Sequence, residues 1–114
     1  MKIERFEDII SWQKGSELSA IIYDIFRNNR DYGFKDQIQR ATVSIPNNIA
    51  EGFERKSNKE LSQFLFIAKG SAGEVRSMLT LALKLNYIGN DQFTDLHNRC
   101  TEISRLISGF IKTI

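Results

Sequence analysis

Hydrophobic residues recur every three or four positions along almost the whole chain, which is the spacing of one face of an α-helix. This pattern predicts four helices, over roughly residues 8–28, 34–55, 57–86 and from 90 or 91 to the end. No stretch shows the alternating pattern of a β-strand. The connecting segments are short, so the helices are expected to pack antiparallel in up-down-up-down order. The predicted fold is therefore all-α, an antiparallel four-helix bundle formed by one domain over residues 1–114.

Two local signals refine the third helix. Ser57 and Glu60 have the spacing of a capping box, in which each side chain satisfies a free backbone donor at a helix start. Gly70 and Gly73 lie in the middle of this helix, where each glycine costs about 1 kcal/mol relative to alanine. Their presence predicts the close approach of another helix.

Pro46 lies inside the predicted second helix. Proline has no backbone N–H and its ring crowds the carbonyl four residues earlier, here that of Thr42. We therefore predict a kink or a brief break near residues 44–47. Ser44 is the expected source of the side-chain hydrogen bond that compensates for it.

Composition is that of an ordinary globular chain of 114 residues, with 41% hydrophobic and 26% charged residues. Cys100, the single cysteine, has no partner for an internal disulfide, which favours a reducing compartment and a cytoplasmic location. The N-terminus lacks the apolar core of a signal peptide, and no apolar run approaches the ~20 residues that cross a bilayer. A secreted or membrane-embedded protein is not expected.

Net charge is only +2, but the excess is concentrated in one segment. Residues 54–86 carry six basic and three acidic side chains. A solvated helix face is the ordinary explanation of such a pattern. The alternative is a surface that neutralises nucleic-acid phosphates, and its candidate residues are Arg55, Lys56, Lys59, Lys69 and Arg76.

Catalytic and metal-binding constellations are missing from the sequence. His97 and Cys100 are three residues apart, but a zinc site needs further ligands of the same kind. Glu51 and Glu74 could meet between helices, but the Glu-x-x-His motif of di-iron bundles does not occur. No arginine lies in the six residues before His97, unlike in helical-bundle ribonucleases. We predict no enzyme activity, no metal and no cofactor.

A polar stripe borders the apolar face of the second helix. It is either solvent-exposed surface, a subunit interface or a ligand site, and it consists of Gln37, Arg40, Ser44, Asn48, Glu51 and Arg55.

Residues 44–53 read SIPNNIAEGF. This segment resembles the signature of the four-helix bundle family encoded in intervening sequences of bacterial 23S ribosomal RNA genes. Further matches in order and spacing are FED at 6–8, WQK at 12–14, YGF at 32–34, RKS at 55–57 and AKGS at 68–71. The resemblance covers essentially the whole chain.

The resemblance implies a pentameric ring, because known members assemble in that way. A relative, the accessory variability protein of diversity-generating retroelements, is strongly basic and binds nucleic acid and a reverse transcriptase. This chain departs from it in its mild charge. If the signature is structural, its residues Ser44, Pro46, Asn48, Glu51 and Gly52 shape the second helix against its neighbours.

Two functions follow as hypotheses. The first is a non-enzymatic, cytoplasmic homo-oligomer, a homopentamer by the resemblance, that binds nucleic acid (structured RNA in particular, or DNA) through the basic face of helix three. The alternative is an interaction scaffold for a partner protein, with no nucleic-acid binding.

Overall fold

A computed structural model describes residues 2–114 and shows four helices, with no strand in that range. A short 3₁₀ turn at Phe6–Asp8 precedes them. The helices are α1 (Ile10–Ile25), α2 (Tyr32–Phe53), α3 (Asn58–Lys84) and α4 (Asn90–Lys112). Each helix packs against its two neighbours around the bundle, and no Cα atoms of the diagonal pairs α1–α3 and α2–α4 come within 8 Å of each other. The predicted four-helix bundle is confirmed.

The interior is filled mainly by isoleucine, leucine and alanine rather than by aromatic rings. Of the eight phenylalanines, only Phe26 and Phe34 are buried. They lie at one end of the bundle with ring centroids 5.7 Å apart, and Tyr87 packs edge-on against Phe34 at 5.3 Å. The Tyr87 hydroxyl donates to Asp31 Oδ2 over 2.6 Å, so the α1–α2 and α3–α4 connections meet at this end. This bond lowers the pKa of the Asp31 carboxyl and raises the pKa of Tyr87.

The helix boundaries follow local capping chemistry. Asp31 accepts a bond from the Phe34 N–H, so α2 begins two residues earlier than predicted. Ser57 caps α3 as predicted, accepting from the Glu60 N–H, and its hydroxyl donates to the Glu60 carboxylate. The α3 helix ends where Asn86 adopts a φ of 62°.

The start of α4 corrects one prediction. Its N-cap is Gly89, not Asn90 or Asp91. The Gly89 N–H donates to the Gln92 side chain over 3.1 Å, so the cap bond comes from a residue inside the helix. Gly89 is therefore the N-cap of α4, and the first helical residue is Asn90, one of the two that the sequence predicted.

Pro46 lies within α2, and the helix continues through it without a break. The predicted break is therefore wrong, while a kink at this position stays a prediction. The missing N–H leaves the Thr42 carbonyl oxygen without its helical partner. The Ser19 hydroxyl, from α1, lies 3.1 Å from that oxygen and 2.9 Å from the Gly15 carbonyl oxygen. Ser19, and not the predicted Ser44, supplies the compensating contact.

Close approach at this point depends on Gly15. A Cβ atom there would lie 3.1 Å from Ile45 Cγ2 and 3.4 Å from Pro46 Cδ. Glycine therefore lets α1 come near enough for Ser19 to reach α2. By contrast, a Cβ at Gly70 or Gly73 would meet nothing within 4 Å, so the predicted close approach of another helix to α3 is wrong within this chain.

Replacing Ser19 with alanine should destabilise the protein by about 1 kcal/mol or somewhat more, because a buried carbonyl then loses its partner. The loss should be smaller in a Pro46→Ala background, where the restored N–H of residue 46 can bond to Thr42. A double-mutant cycle of urea unfolding measures this coupling. Equal losses in both backgrounds would show that Ser19 does not serve the proline.

Gly52→Ala should be more damaging than an ordinary helical substitution. The new Cβ would lie 2.7 Å from Phe64 Cβ and 3.3 Å from the Leu61 carbonyl oxygen, so α2 and α3 must move apart. We expect a loss of about 1–3 kcal/mol in urea unfolding. The matched control, Gly73→Ala, meets open space and should stabilise the helix by about 0.5–1 kcal/mol. If both variants had the same stability, the α2–α3 contact would not depend on Gly52.

Candidate nucleic-acid interface

The five basic residues predicted from the sequence fall into two groups. Arg55, Lys56 and Lys59 lie at the turn between α2 and α3 and at the start of α3. Lys69 and Arg76 lie about 15 Å and about 25 Å beyond Lys59 along α3, by the helical rise of ~1.5 Å per residue. Both are on the side that faces α4. The structure thus does not bring the five together in one place.

Arg55 is largely occupied by contacts within the chain. Its guanidinium is 2.7 Å from the Glu51 carboxylate and 4.0 Å from that of Glu60. It also lies 4.8 Å from the centre of the Phe64 ring. Two nearby carboxylates offset its charge, so Arg55 is a weak candidate for binding an anion. Lys56 and Lys59 are exposed.

Lys69 and Arg76 share a surface groove with two basic residues of α4, Arg105 and Lys112. We call this hollow of about 400 Å³ the α3–α4 groove. Both pairs are seven residues apart, or about 10 Å along their helices. Residues seven apart lie on one face of a helix, so two cations of each helix face the same hollow. The sequence prediction missed Arg105 and Lys112, although their spacing repeats that of Lys69 and Arg76.

The charge of the groove is not offset locally. Its other lining residues are small and carry no carboxylate: Thr101, Ser104, Ser108 and Gly109. Within residues 2–114, none of the four cations forms an ion pair, whereas ion pairs occupy other basic residues such as Arg40, Arg55 and Arg99. The groove is therefore a site of positive potential on a chain whose net charge is only +2.

A second, smaller hollow adjoins the groove. It has a volume of about 260 Å³ and is lined by Phe66, Lys69, Ser108, Ile111 and Lys112. We call it the Phe66 hollow. Three of these residues, Lys69, Ser108 and Lys112, also line the α3–α4 groove. The Phe66 side chain is 57% exposed although it is a large apolar group.

Apart from Pro46, which faces α1, the signature residues lie on the side of α2 near α3, and none of them lines the groove. Ser44 Oγ is 2.9 Å from Ser71 Oγ of α3. Asn48 Nδ2 donates to the Ser44 carbonyl oxygen over 2.8 Å and lies 2.9 Å from Ser44 Oγ. Gly52 contacts Phe64 and Leu61, as described above, while Glu51 is exposed and pairs with Arg55. The Ser44–Ser71 contact and the close approach at Gly52 hold α2 against α3.

The rest of the polar stripe on α2 is engaged with nearby side chains. Gln37 Nε2 donates to Glu74 Oε2 over 3.4 Å, and Arg40 pairs with Asp36 at 2.8 Å. The predicted meeting of Glu51 with Glu74 does not appear in these contacts, since each carboxylate has a different partner.

The candidates for catalysis are poorly placed for it. Cys100 is 1% exposed, and burial raises the pKa of its thiol to about 12, so the reactive thiolate is absent at neutral pH. His97 packs against the Phe93 ring at 5.3 Å. In the part of the chain that the structure describes, no group of three or more potential metal ligands comes together. Nor does any of the described helices have the length and apolarity to cross a membrane.

Known proteins share both the four-helix fold of this chain and the family that its signature indicated. Residues 7–109 match the model of the 23S rRNA-intervening sequence protein family. The chain belongs to this family. A crystal structure of a protein of unknown function from the S23 ribosomal protein family, from Bacteroides thetaiotaomicron VPI-5482, is similar with a TM-score of 0.85. It is 28% identical, and the match covers 90% of this chain and 99% of that one. Among curated proteins, none matches the chain.

Proposed function

We propose that this protein is a non-enzymatic, homo-oligomeric helical bundle that binds nucleic acid, structured RNA in particular, through the α3–α4 groove. The observation that carries the proposal is the set of four cations, two on each helix, that face one groove without a carboxylate among its lining residues. Contacts between basic side chains and phosphates supply most of the affinity of sequence-independent nucleic-acid binding.

A net charge of only +2 argues against strong nucleic-acid binding, but the distribution of the charges over the surface matters more than their sum. Acidic residues offset basic ones over much of the surface, as in the Arg99 network with Glu17 and Asp95. A polyanion responds to the local potential near its phosphates, because charges more than about 10 Å away are screened at ordinary salt concentrations. A chain of net charge +2 can therefore still present a locally basic site.

Oligomerisation would increase this effect. In a ring, each copy contributes one groove, and a long nucleic acid can occupy several grooves at once. Linked weak sites raise the overall affinity well above that of one site when the geometry allows simultaneous binding.

The test is nucleic-acid binding by fluorescence anisotropy over a range of salt concentrations. Four phosphate contacts predict a slope of log K against log salt of about −3 for a single strand. Arg105→Glu should weaken binding about tenfold at 0.1 M salt, since it replaces one phosphate contact by repulsion. Arg30→Glu, at the opposite end of the bundle, is the matched control and should change binding little.

Two results would contradict this function. One is no binding to any RNA or DNA even at low salt. The other is an equal loss of affinity in the Arg105→Glu and Arg30→Glu variants, which would show that the groove has no special role.

The outer face of α3 is the candidate surface for this oligomerisation, and it is also the surface that the alternative function, a scaffold for a partner protein without nucleic-acid binding, would use. Ile67, Leu81 and Leu85 are each 44–52% exposed on this side of the helix. Between Ile67 and Leu81 the helix carries Gly70, around which the space is open, and the exposed Glu74. Large apolar side chains that a bundle leaves exposed are found at contact sites between proteins. The occupant we propose is a second copy of the chain, with a partner protein as the alternative.

Light scattering tests this face through the solution mass. The chain should form an oligomer, a pentamer if it follows the resemblance noted above. Leu81→Glu should reduce its mass, because a carboxylate would be buried against the neighbouring copy. Asn98→Glu, an exposed substitution on α4, is the control and should leave the mass unchanged. A wild-type monomer, or an oligomer that both variants preserve, would contradict the assignment.

A further inference from the structure

We propose that the α3–α4 groove and the Phe66 hollow form one site for a single-stranded segment of nucleic acid, with the phosphates along the groove and one unstacked base in the hollow. This inference rests on the nucleic-acid binding proposed above and specifies the kind of nucleic acid that the site takes.

The first argument is that the two hollows are continuous. Lys69 and Lys112 line both of them, one from each helix. A nucleotide has its phosphate and its base a few bonds apart, so it needs positive charge and an apolar surface side by side. The two lysines stand at the boundary between these environments, where their ammonium groups can meet a phosphate while their methylene chains border the hollow.

The second argument is the size and chemistry of the Phe66 hollow. Its walls include the Phe66 ring and the Ile111 side chain, and its volume is about 260 Å³. Since an apolar cavity of roughly 150 Å³ can hold a benzene ring, this hollow has room for a larger planar ring such as a nucleobase. Stacking of bases on aromatic side chains is the usual way in which proteins hold unpaired bases.

The third argument is the unusual exposure of Phe66. In residues 2–114 it is the only phenylalanine classed as exposed, the others being buried or half-buried. The bundle interior does not use this ring, which projects beside two unpaired cations rather than into the core. An exposed aromatic ring next to positive charge is complementary to a base next to a phosphate.

Duplexes fit the site less well. In a duplex the bases are stacked on one another, so their faces are not available to Phe66 and only the phosphates can bind. Loops, bulges and ends of structured RNA do present unstacked bases. The hollow offers a single hydroxyl, that of Ser108, as a neutral polar side-chain group. We therefore expect the site to distinguish single strands from duplexes but to show little preference among bases.

The experiment compares a fluorescein-labelled ten-nucleotide RNA of mixed sequence with the same strand in a blunt duplex. Wild-type protein should bind the single strand at least tenfold more tightly than the duplex at equal salt. Phe66→Ala should weaken single-strand binding by about tenfold, within the range that loss of one stacked base produces. It should leave duplex binding unchanged, and Phe66→Trp should restore single-strand binding.

Controls separate this inference from the proposed function. Tyr23→Ala removes an exposed aromatic side chain of α1, outside both the groove and the hollow, and should not change single-strand binding. Arg105→Glu should weaken binding of both RNAs. If Arg105→Glu weakens both but Phe66→Ala weakens neither, the groove binds phosphates and the single-strand assignment is wrong. Absence of binding by any form overturns the proposed function as well.

Oligomeric state supplies one further check. If Phe66→Ala lowers the solution mass, the ring belongs to a contact between subunits, and the assignment of the hollow to a base is wrong. If the mass is unchanged and single-strand affinity falls, the base-binding role stands.

Discussion

The helix that carries Pro46 stays continuous because a hydroxyl from a neighbouring helix lies against the carbonyl oxygen that proline leaves unpaired. Ser19 makes this contact from α1, and Gly15, which has no side chain, lets α1 approach α2 closely enough for it. An unbroken α2 of 22 residues can then support α3 along its length. At the other end of the signature, Gly52 brings α2 against Phe64 and Leu61 of α3. One buried polar contact and two close glycine contacts thus hold α1 and α3 against α2, in addition to the apolar residues of the core.

The position of α3 in turn creates the groove. Its inner side packs on α2 and the core, while the side with Lys69 and Arg76 faces α4. The antiparallel arrangement places Arg105 and Lys112 of α4 opposite them. A charge pattern that is unremarkable along the chain becomes a concentrated positive site because two helices contribute to it. In the function proposed above, the signature residues would act indirectly, through the placement of a helix that they touch.

Helical periodicity was sufficient to predict the four helices, because each one has a distinct apolar face. Local chemistry also predicted the Ser57 cap and placed the end of α3 near Asn86, two residues beyond its last helical residue, Lys84. Neither periodicity nor local chemistry could predict contacts between residues that are distant in sequence. Nothing in the local sequence joins Ser19 to Pro46, and the compensating bond was wrongly assigned to Ser44. Gly70 and Gly73 were wrongly expected to mark packing within the chain, because a glycine does not show which surface it faces.

The candidate site was predicted only in part, because sequence patterns do not show which residues of different helices come together. Lys69 and Arg76 are in the groove, but Arg55 is paired with carboxylates, and Lys56 and Lys59 lie elsewhere on the surface. Their grouping rested on proximity in sequence. Arg105 and Lys112 were missed because their segment has no net charge, which concealed the shared spacing of seven residues.

The central claim is that one particular face of the bundle binds nucleic acid. Amide chemical shifts of ¹⁵N-labelled protein, followed during titration with a short single-stranded RNA, test it most directly. The account predicts that the largest changes occur in α3 and α4 around Lys69, Arg76, Arg105 and Lys112, with α1 and the first half of α2 little affected. Changes concentrated instead at the α2–α3 turn or at the α1–α2 connection would contradict it.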